Sequence, residues 1–342
     1  MTAERIQHVL EAFAFGDAIG MPTQLYSHEE ALAIIGTDGV MASARVDHKI
    51  CPGLAGATIT DDTHQLLILA DNLIETEGDF DSVKFALALL EWETRMIAAG
   101  SKDLLGPSTK TALLALAGAR TVEAVSFAGT TNGGAMRIPA LACSVPILSV
   151  AGANAIIEKI IAINRLSHNS SAANIGCAAV ATMISAGIDG LDFELAIDTA
   201  IAASQVIAEQ LGASSDENYI ELRLKDVLFE VERAALEHDD SALRYIVTQV
   251  GTSMQSEESV LAAFAVASLA RYQPFNTAIL GAKLGGDSDT IAAIGAAIAA
   301  AFGHWDDFDE KAATAVRVQN DLEFGPRARA LAALRENYRD EL

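Results

Sequence analysis

Gly285-Gly286-Asp287-Ser288-Asp289-Thr290 runs straight into Ile291-Ala292-Ala293-Ile294-Gly295-Ala296-Ala297-Ile298-Ala299-Ala300-Ala301-Phe302. The second part has apolar residues at three- and four-residue steps, the period of a helix. The same period recurs in Arg5–Ala18, Thr63–Ile74, Val83–Ala98, Val150–Ile163, Ala172–Ala186, Phe193–Leu211, Tyr219–Leu236 and Ser259–Leu269. Hydrophobic residues make up 51% of the chain and aromatics only 6%. Much of the apolar content is alanine, whose small side chain lets helices approach closely. Strand-like alternation is confined to Gly39–Val46. The expectation is an all-α fold. At 342 residues the chain exceeds the ~100–200 residues of an ordinary single core. With no low-complexity linker, charge block or repeat, it reads as one compact domain, 1–342.

Charge and composition exclude several functions. Lys+Arg number 23 against Asp+Glu 46, a net charge of −23, which repels phosphate backbones and argues against nucleic-acid binding. A small anion is still admissible where cations or helix N-termini offset the local field. Cys51, Cys143 and Cys177 are odd in number, widely spaced and set among apolar residues, so they read as reduced structural thiols. The first residues lack a basic stretch followed by an apolar core, and Ile291–Gly303 falls short of the ~20 residues of a membrane span. The expected location is the cytoplasm, with no membrane partner.

Chemistry in a helical protein gathers where helix ends converge, because helix N-termini present unpaired N–H groups and loops aim side chains. Two such starts stand out. Thr60-Asp61-Asp62-Thr63 precedes the helical run Leu66–Leu69, and Gly285–Thr290 precedes Ile291–Phe302. Ser, Thr and Asp are preferred helix caps, and acids in the first turn suit the helix dipole. One side chain suffices as a cap, however, and both turns crowd adjacent like charges. A cation relieves that repulsion. Oxygen donors from Asp and Thr, without His or Cys, favour a hard ion such as magnesium or manganese over zinc. Spacing alone does not bring the two turns together.

Gly16-Asp17-Ala18-Ile19-Gly20-Met21-Pro22, Thr60-Asp61-Asp62-Thr63, Thr131-Asn132-Gly133-Gly134-Ala135-Met136-Arg137, His168 and Gly285-Gly286-Asp287-Ser288-Asp289-Thr290, taken together and in this order, resemble the ADP-ribosylglycohydrolase family, in particular its compact bacterial members. The resemblance spans residues 16 to 290. It implies a compact orthogonal multi-helix bundle with a binuclear centre of two divalent cations, Mg2+ or Mn2+. Carried over position by position, Thr60, Asp61, Asp62, Asp287, Asp289 and Thr290 are the metal ligands, with Asp61, Asp62 and Asp289 as the catalytic carboxylates. Gln24, Gly106, Ser108, Asn132, Gly133 and His168 are the substrate-binding candidates. Gly285-Gly286 reads as backbone left bare so that a ligand can approach closely. Ser288, often threonine in the family, is not expected to bind metal.

Gln24 marks a departure. The family usually has an acid two positions after GDAIGMP, whereas this chain has Thr23-Gln24, and an amide is neither a general base nor a charged ligand. Asp17 and Asp103 are conceivable substitutes. Leu105–Lys110 opens a helix with glycine, hydroxyls and a base, which suits a phosphate. Arg137 suits either the pocket or a structural ion pair, and His64 could face either way. The implied activity is hydrolysis at the anomeric carbon of a ribose in an ADP-ribosylated protein or small molecule. The alternatives are an N-ribosyl or nucleoside hydrolase, and a non-catalytic nucleotide-binding member.

Overall fold

The computed structural model describes residues 2–39, 41–98, 100, 105–106, 109–113, 128–214, 219–236, 239–303 and 308–338. Its architecture is all-α. Each of the nine periodic stretches forms a helix, among them Thr2–Gly20, Asp61–Glu75, Ser171–Asp189, Ser256–Leu269 and Ser288–Ala301. Further helices lie outside those stretches: His28–Asp38, Pro139–Ser144, Asp239–Tyr245, Pro274–Leu284, Glu310–Gln319 and Gly325–Glu336. Their start signals are chemical rather than periodic. Ser27 and Glu30 form a reciprocal capping box, and Pro139, Pro274 and Pro326 occupy first-turn positions where a missing N–H costs nothing.

The strand-like alternation over Gly39–Val46 yields no strand among its described residues. Residues 41–46 are turn and irregular chain, held by a bond from the Ala44 N–H to the Leu54 carbonyl. Among the described residues, extended pairing is limited to two isolated bridges, Ala128 with His168 and Thr131 with Gln255. Small residues such as Ala42, Ser43 and Ala44 bury too little on either face to sustain a ladder.

Ser288–Ala301 is the axis of the fold, with every residue buried. Its neighbours reach it through glycines. A Cβ on Gly16 would stand 2.4 Å from the Ala292 carbonyl oxygen, and one on Gly20 would stand 2.4 Å from the Asp289 Cα. These two glycines lie one helical turn apart on the same face, so Thr2–Gly20 packs backbone to backbone on Ser288–Ala301. Gly281 of Pro274–Leu284 approaches Ala292 equally closely. Alanine-rich composition thus becomes close helix packing, with one continuous core extending from Ile6 to Leu334.

Ser171–Asp189 is long and apolar enough to cross a membrane, and 89% of its apolar window is buried inside the protein. It packs as a core helix. Cys51, Cys143 and Cys177 are buried, with no disulfide among the described residues, and burial pushes the thiols of Cys143 and Cys177 up to about 12.

Candidate active site

The first acidic turn is built around Asp17. Its carboxylate is fully buried and accepts from the Thr60 N–H at 3.0 Å, the Thr60 hydroxyl at 2.8 Å, the Thr63 N–H at 3.1 Å and the Thr63 hydroxyl at 2.5 Å. Burial pushes Asp17 above the usual carboxylate range, and the bonds from Thr63 and Thr60 oppose that shift. Asp17 therefore fixes the start of Asp61–Glu75 and does not act as a free base. Thr60 caps this helix by accepting from the Asp62 N–H. Capping is thus satisfied without Asp61 or Asp62, and both carboxylates exceed what the helix requires.

In the second turn, Asp287 occupies the cap position of Ser288–Ala301, yet its side chain makes no capping bond. Instead its Oδ2 accepts from Asn132 Nδ2 at 2.5 Å, and the nearby Thr290 and Gln24 side chains favour its charged form. Gly285 and Gly286 have φ of +72° and +64°, a left-handed backbone that side chains disfavour. A Cβ on Gly285 would meet the Tyr26 carbonyl oxygen at 2.5 Å, and one on Gly286 would meet that of Thr252 at 2.2 Å. The glycine pair therefore admits neighbouring chain rather than a ligand, which corrects the reading from sequence. The Leu25 N–H donates to the Gly286 carbonyl and the Gly286 N–H to that of Tyr26, so the loop carrying Gln24 is tied to the acidic turn. The buried Ser288 hydroxyl donates to the Gly20 carbonyl at 2.9 Å.

The glycine-mediated packing brings the two turns together. Asp289 is fully buried and driven well above the usual carboxylate range, first by burial and then by the charges of Asp287, Asp62 and Asp17. Its Oδ1 accepts from the Thr290 N–H at 3.0 Å, while its buried Oδ2 has no hydrogen-bond partner among the described residues. Burial also raises Asp287. Among the described residues, no three His, Cys, Asp or Glu side chains already stand at the spacing for holding one ion. The threonine oxygens of Thr60 and Thr290 and the half-buried Asp61 complete the local oxygen donors.

These carboxylates form one wall of a cavity of about 460 Å³, which Gln24, Asp61, Asp62, Asp287 and Thr290 line. Thr131, Asn132, Gly133 and His168 also line the cavity, adjoining the carboxylates where Asn132 meets Asp287, with Gly106 at the exposed rim. The volume lies in the range of small-molecule sites. A Cβ on Gly133 would stand 2.7 Å from the His168 ring, so that glycine makes room for the imidazole. Behind the wall lies Arg137, fully buried, with its guanidinium over the Phe85 ring at 5.6 Å. It donates to Gln65 Oε1 at 3.2 Å and Ser167 Oγ at 2.7 Å.

The remaining sequence candidates are distributed as follows. Ser108 and Asp103 lie outside the described residues. Lys110 pairs with Glu93 at 3.0 Å, which does not fit the phosphate role suggested for its segment. Arg137 makes no ion pair among the described residues. His64 packs against Trp92, and burial depresses it to about 4. Sequence reading missed Gln65, whose Nε2 donates to Asp61 Oδ2 at 2.8 Å. The signal was present in the helical i, i+4 spacing of Asp61 and Gln65.

The family model for ADP-ribosylglycohydrolase matches residues 1–340. YegU, an uncharacterized protein of Escherichia coli K12, is 32% identical over 337 residues, covering 98% of each chain. An uncharacterized protein of Archaeoglobus fulgidus is 29% identical over 88% of each. Among solved structures, the chain resembles an ADP-ribosylglycohydrolase-related protein complex with a TM-score of 0.64 at 19% identity, covering 98% of this chain and 99% of that one. At that identity the likeness speaks for the fold alone. The match over nearly the whole length and the convergent acidic turns agree: this chain belongs to the ADP-ribosylglycohydrolase family.

Proposed function

We propose that the protein is a hydrolase that cleaves the glycosidic bond at the anomeric carbon of a ribose, with an ADP-ribosylated protein or small molecule as substrate and two divalent cations, Mg2+ or Mn2+, as cofactors. The observation that carries this reading is the convergence of two acidic turns, from opposite ends of the sequence, on one wall of a cavity. The donor chemistry fits the cations: Thr60, Asp61, Asp62, Asp287, Asp289 and Thr290 supply hard oxygens, and the buried, unpartnered Oδ2 of Asp289 faces a surplus of negative charge. When bound, the ions would lower the pKa of a water and neutralise charge near the ribose.

The chain's own groups divide the remaining work. Asp17 keeps the first turn in place through four bonds and is too fully occupied to take a proton from substrate or water. Gln24 lies beside Asp287 and has no basic site. His168 has both ring nitrogens engaged within the wall. Proton acceptance therefore falls to Asp61 or Asp62, both of which line the cavity. Asn132, anchored through Ser259 at 2.9 Å and Asp287, and the Gly133 backbone present polar groups to the sugar.

The test is release of ADP-ribose or ribose from ADP-ribosylated arginine and serine peptides, O-acetyl-ADP-ribose and nucleosides, with magnesium, manganese or chelator, beside an Asp287→Asn/Asp289→Asn double variant. Cation-dependent turnover of an ADP-ribosylated member, lost in the variant, supports the proposal. Turnover confined to nucleosides would reassign the substrate. Cation binding without turnover would instead support a nucleotide-binding protein, the reading that the amide at position 24 favours.

A further inference from the structure

Arg137 stands behind the cavity wall as a fully buried cation whose described hydrogen-bond partners are all neutral. A guanidinium can only donate, so every group it touches must turn an acceptor toward it. Gln65 therefore points Oε1 at Arg137 and Nε2 at Asp61, which settles the orientation of that amide. The same logic applies to His168. Arg137 Nη2 lies 3.2 Å from His168 Nδ1, with Ser167 Oγ 2.8 Å from the same nitrogen. A proton on Nδ1 would face a guanidinium N–H, so the lone pair belongs there and the ring proton belongs on Nε2. Nε2 stands 3.1 Å from Thr131 Oγ1. Thr131 then accepts from the ring and keeps its own hydroxyl proton to give. No acceptor for that proton is found among the described residues, and Thr131 lines the cavity.

We propose that Arg137 is a positioning residue that sets the hydrogen-bond polarity of this wall: it holds His168 as the neutral ring protonated on Nε2, so that Thr131 presents its hydroxyl as a donor to an acceptor oxygen of the substrate. Carboxylates line the same cavity beyond Asn132, so its two parts select opposite features. Acceptor oxygens, of a phosphate or of the sugar, are received at Thr131, and cations at the acidic turns. Burial and the charge of Arg137 both disfavour the imidazolium, in agreement with this geometry. The identity of the substrate rests on the function proposed above, whereas the polarity of the wall does not.

Two measurements test this. Nitrogen-15 NMR of the histidine rings at pH 7, with His168 assigned by loss of its signals in His168→Asn, should show an unprotonated Nδ1 and a protonated Nε2. In Arg137→Gln the amide can offer its carbonyl to the ring, and the ring nitrogen shifts should move toward the other tautomer or toward exchange between the two. Should that variant not fold, the wild-type shifts decide alone, and a protonated Nδ1 in wild type overturns the proposal. In calorimetric titration with magnesium, Thr131→Val should bind ADP-ribose about fivefold more weakly, the equivalent of one neutral hydrogen bond, while Thr131→Ser should retain affinity. Equal binding by Thr131→Val would overturn the donor role. Absence of ADP-ribose binding by wild type would overturn the functional reading and leave the ring shifts to decide the polarity.

Discussion

Substituting Gly20 with alanine tests whether close backbone packing assembles the site. The added Cβ would stand 2.4 Å from both the Asp289 Cα and the Ser288 carbonyl oxygen, whereas ordinary van der Waals contact begins at 3.4 Å. The two helices must separate locally by about 1 Å, and the opposing atoms are backbone, which cannot rotate away. Overpacking ordinarily costs ~1–3 kcal/mol, so the expected loss is about 3 kcal/mol. With ~2.1 cal/mol/K of unfolding entropy per residue, a chain of 342 residues should lose roughly 4 °C in melting temperature. Because the displaced residue is Asp289, any cation-dependent turnover should fall ~100-fold, the consequence of a 1 Å misplacement. The assay is thermal unfolding followed by circular dichroism, with Gly36→Ala as control. Gly36 lies within His28–Asp38 and would meet nothing within 4 Å, so alanine there should stabilise by ~0.5–1 kcal/mol. A Gly20→Ala protein that melts at or above the wild-type temperature would refute the packing argument.

Three further outcomes follow from the same geometry. Magnesium or manganese should raise the melting temperature with dose, equivalent to about 2.7 kcal/mol at a hundredfold excess over Kd, and Asp287→Asn/Asp289→Asn should abolish the rise; an unchanged rise would place the cations elsewhere. In chelator, burial and neighbouring charge hold folded Asp289 well above its unfolded value of 3.8, so folding takes up a proton in that window. Its contribution to stability therefore grows as pH falls from neutral toward 3.8, and Asp289→Asn should flatten the melting temperature between pH 7 and 5, which a profile parallel to wild type would contradict. Gln24→Glu places a like charge beside Asp287, so the cation-free protein should lose ~1–3 kcal/mol while its cation midpoint moves to lower concentration. Denaturant titration with and without magnesium checks both, and an unchanged cation-free stability would show that Gln24 does not support Asp287.

What the sequence disclosed follows from which forces act locally. The Ser288–Ala301 and Ser171–Asp189 helices were legible because their apolar period is itself the packing signal. Pro274–Leu284 and Gly325–Glu336 were not, since they begin on proline chemistry rather than period. Asp287 and Asp289 stood out as acids in excess of capping, and the structure gives that excess its content: Asp287 forms no cap and Asp289 is left with an unpartnered oxygen. The reason for Gly285-Gly286 was not legible, because Tyr26 and Thr252, which press on them, are neighbours only in the folded chain. The same holds for Asp17, offered from sequence as a spare base and found as the anchor of Thr60 and Thr63.

The departure at Gln24 takes its meaning from this arrangement. An acid there would add a further carboxylate to a cluster in which Asp17, Asp62, Asp287 and Asp289 already repel one another, and cations would be the relief. The amide instead adds no charge beside Asp287 and leaves its own buried oxygen without a hydrogen-bond partner among the described residues. Substituting amide for acid thus lowers the electrostatic cost of the empty site and gives up charge that would attract cations. A protein built this way should fold well without cations and bind them more weakly than its Gln24→Glu variant. The cation concentration at which stability begins to rise is therefore the quantity through which position 24 acts, ahead of any effect on proton transfer.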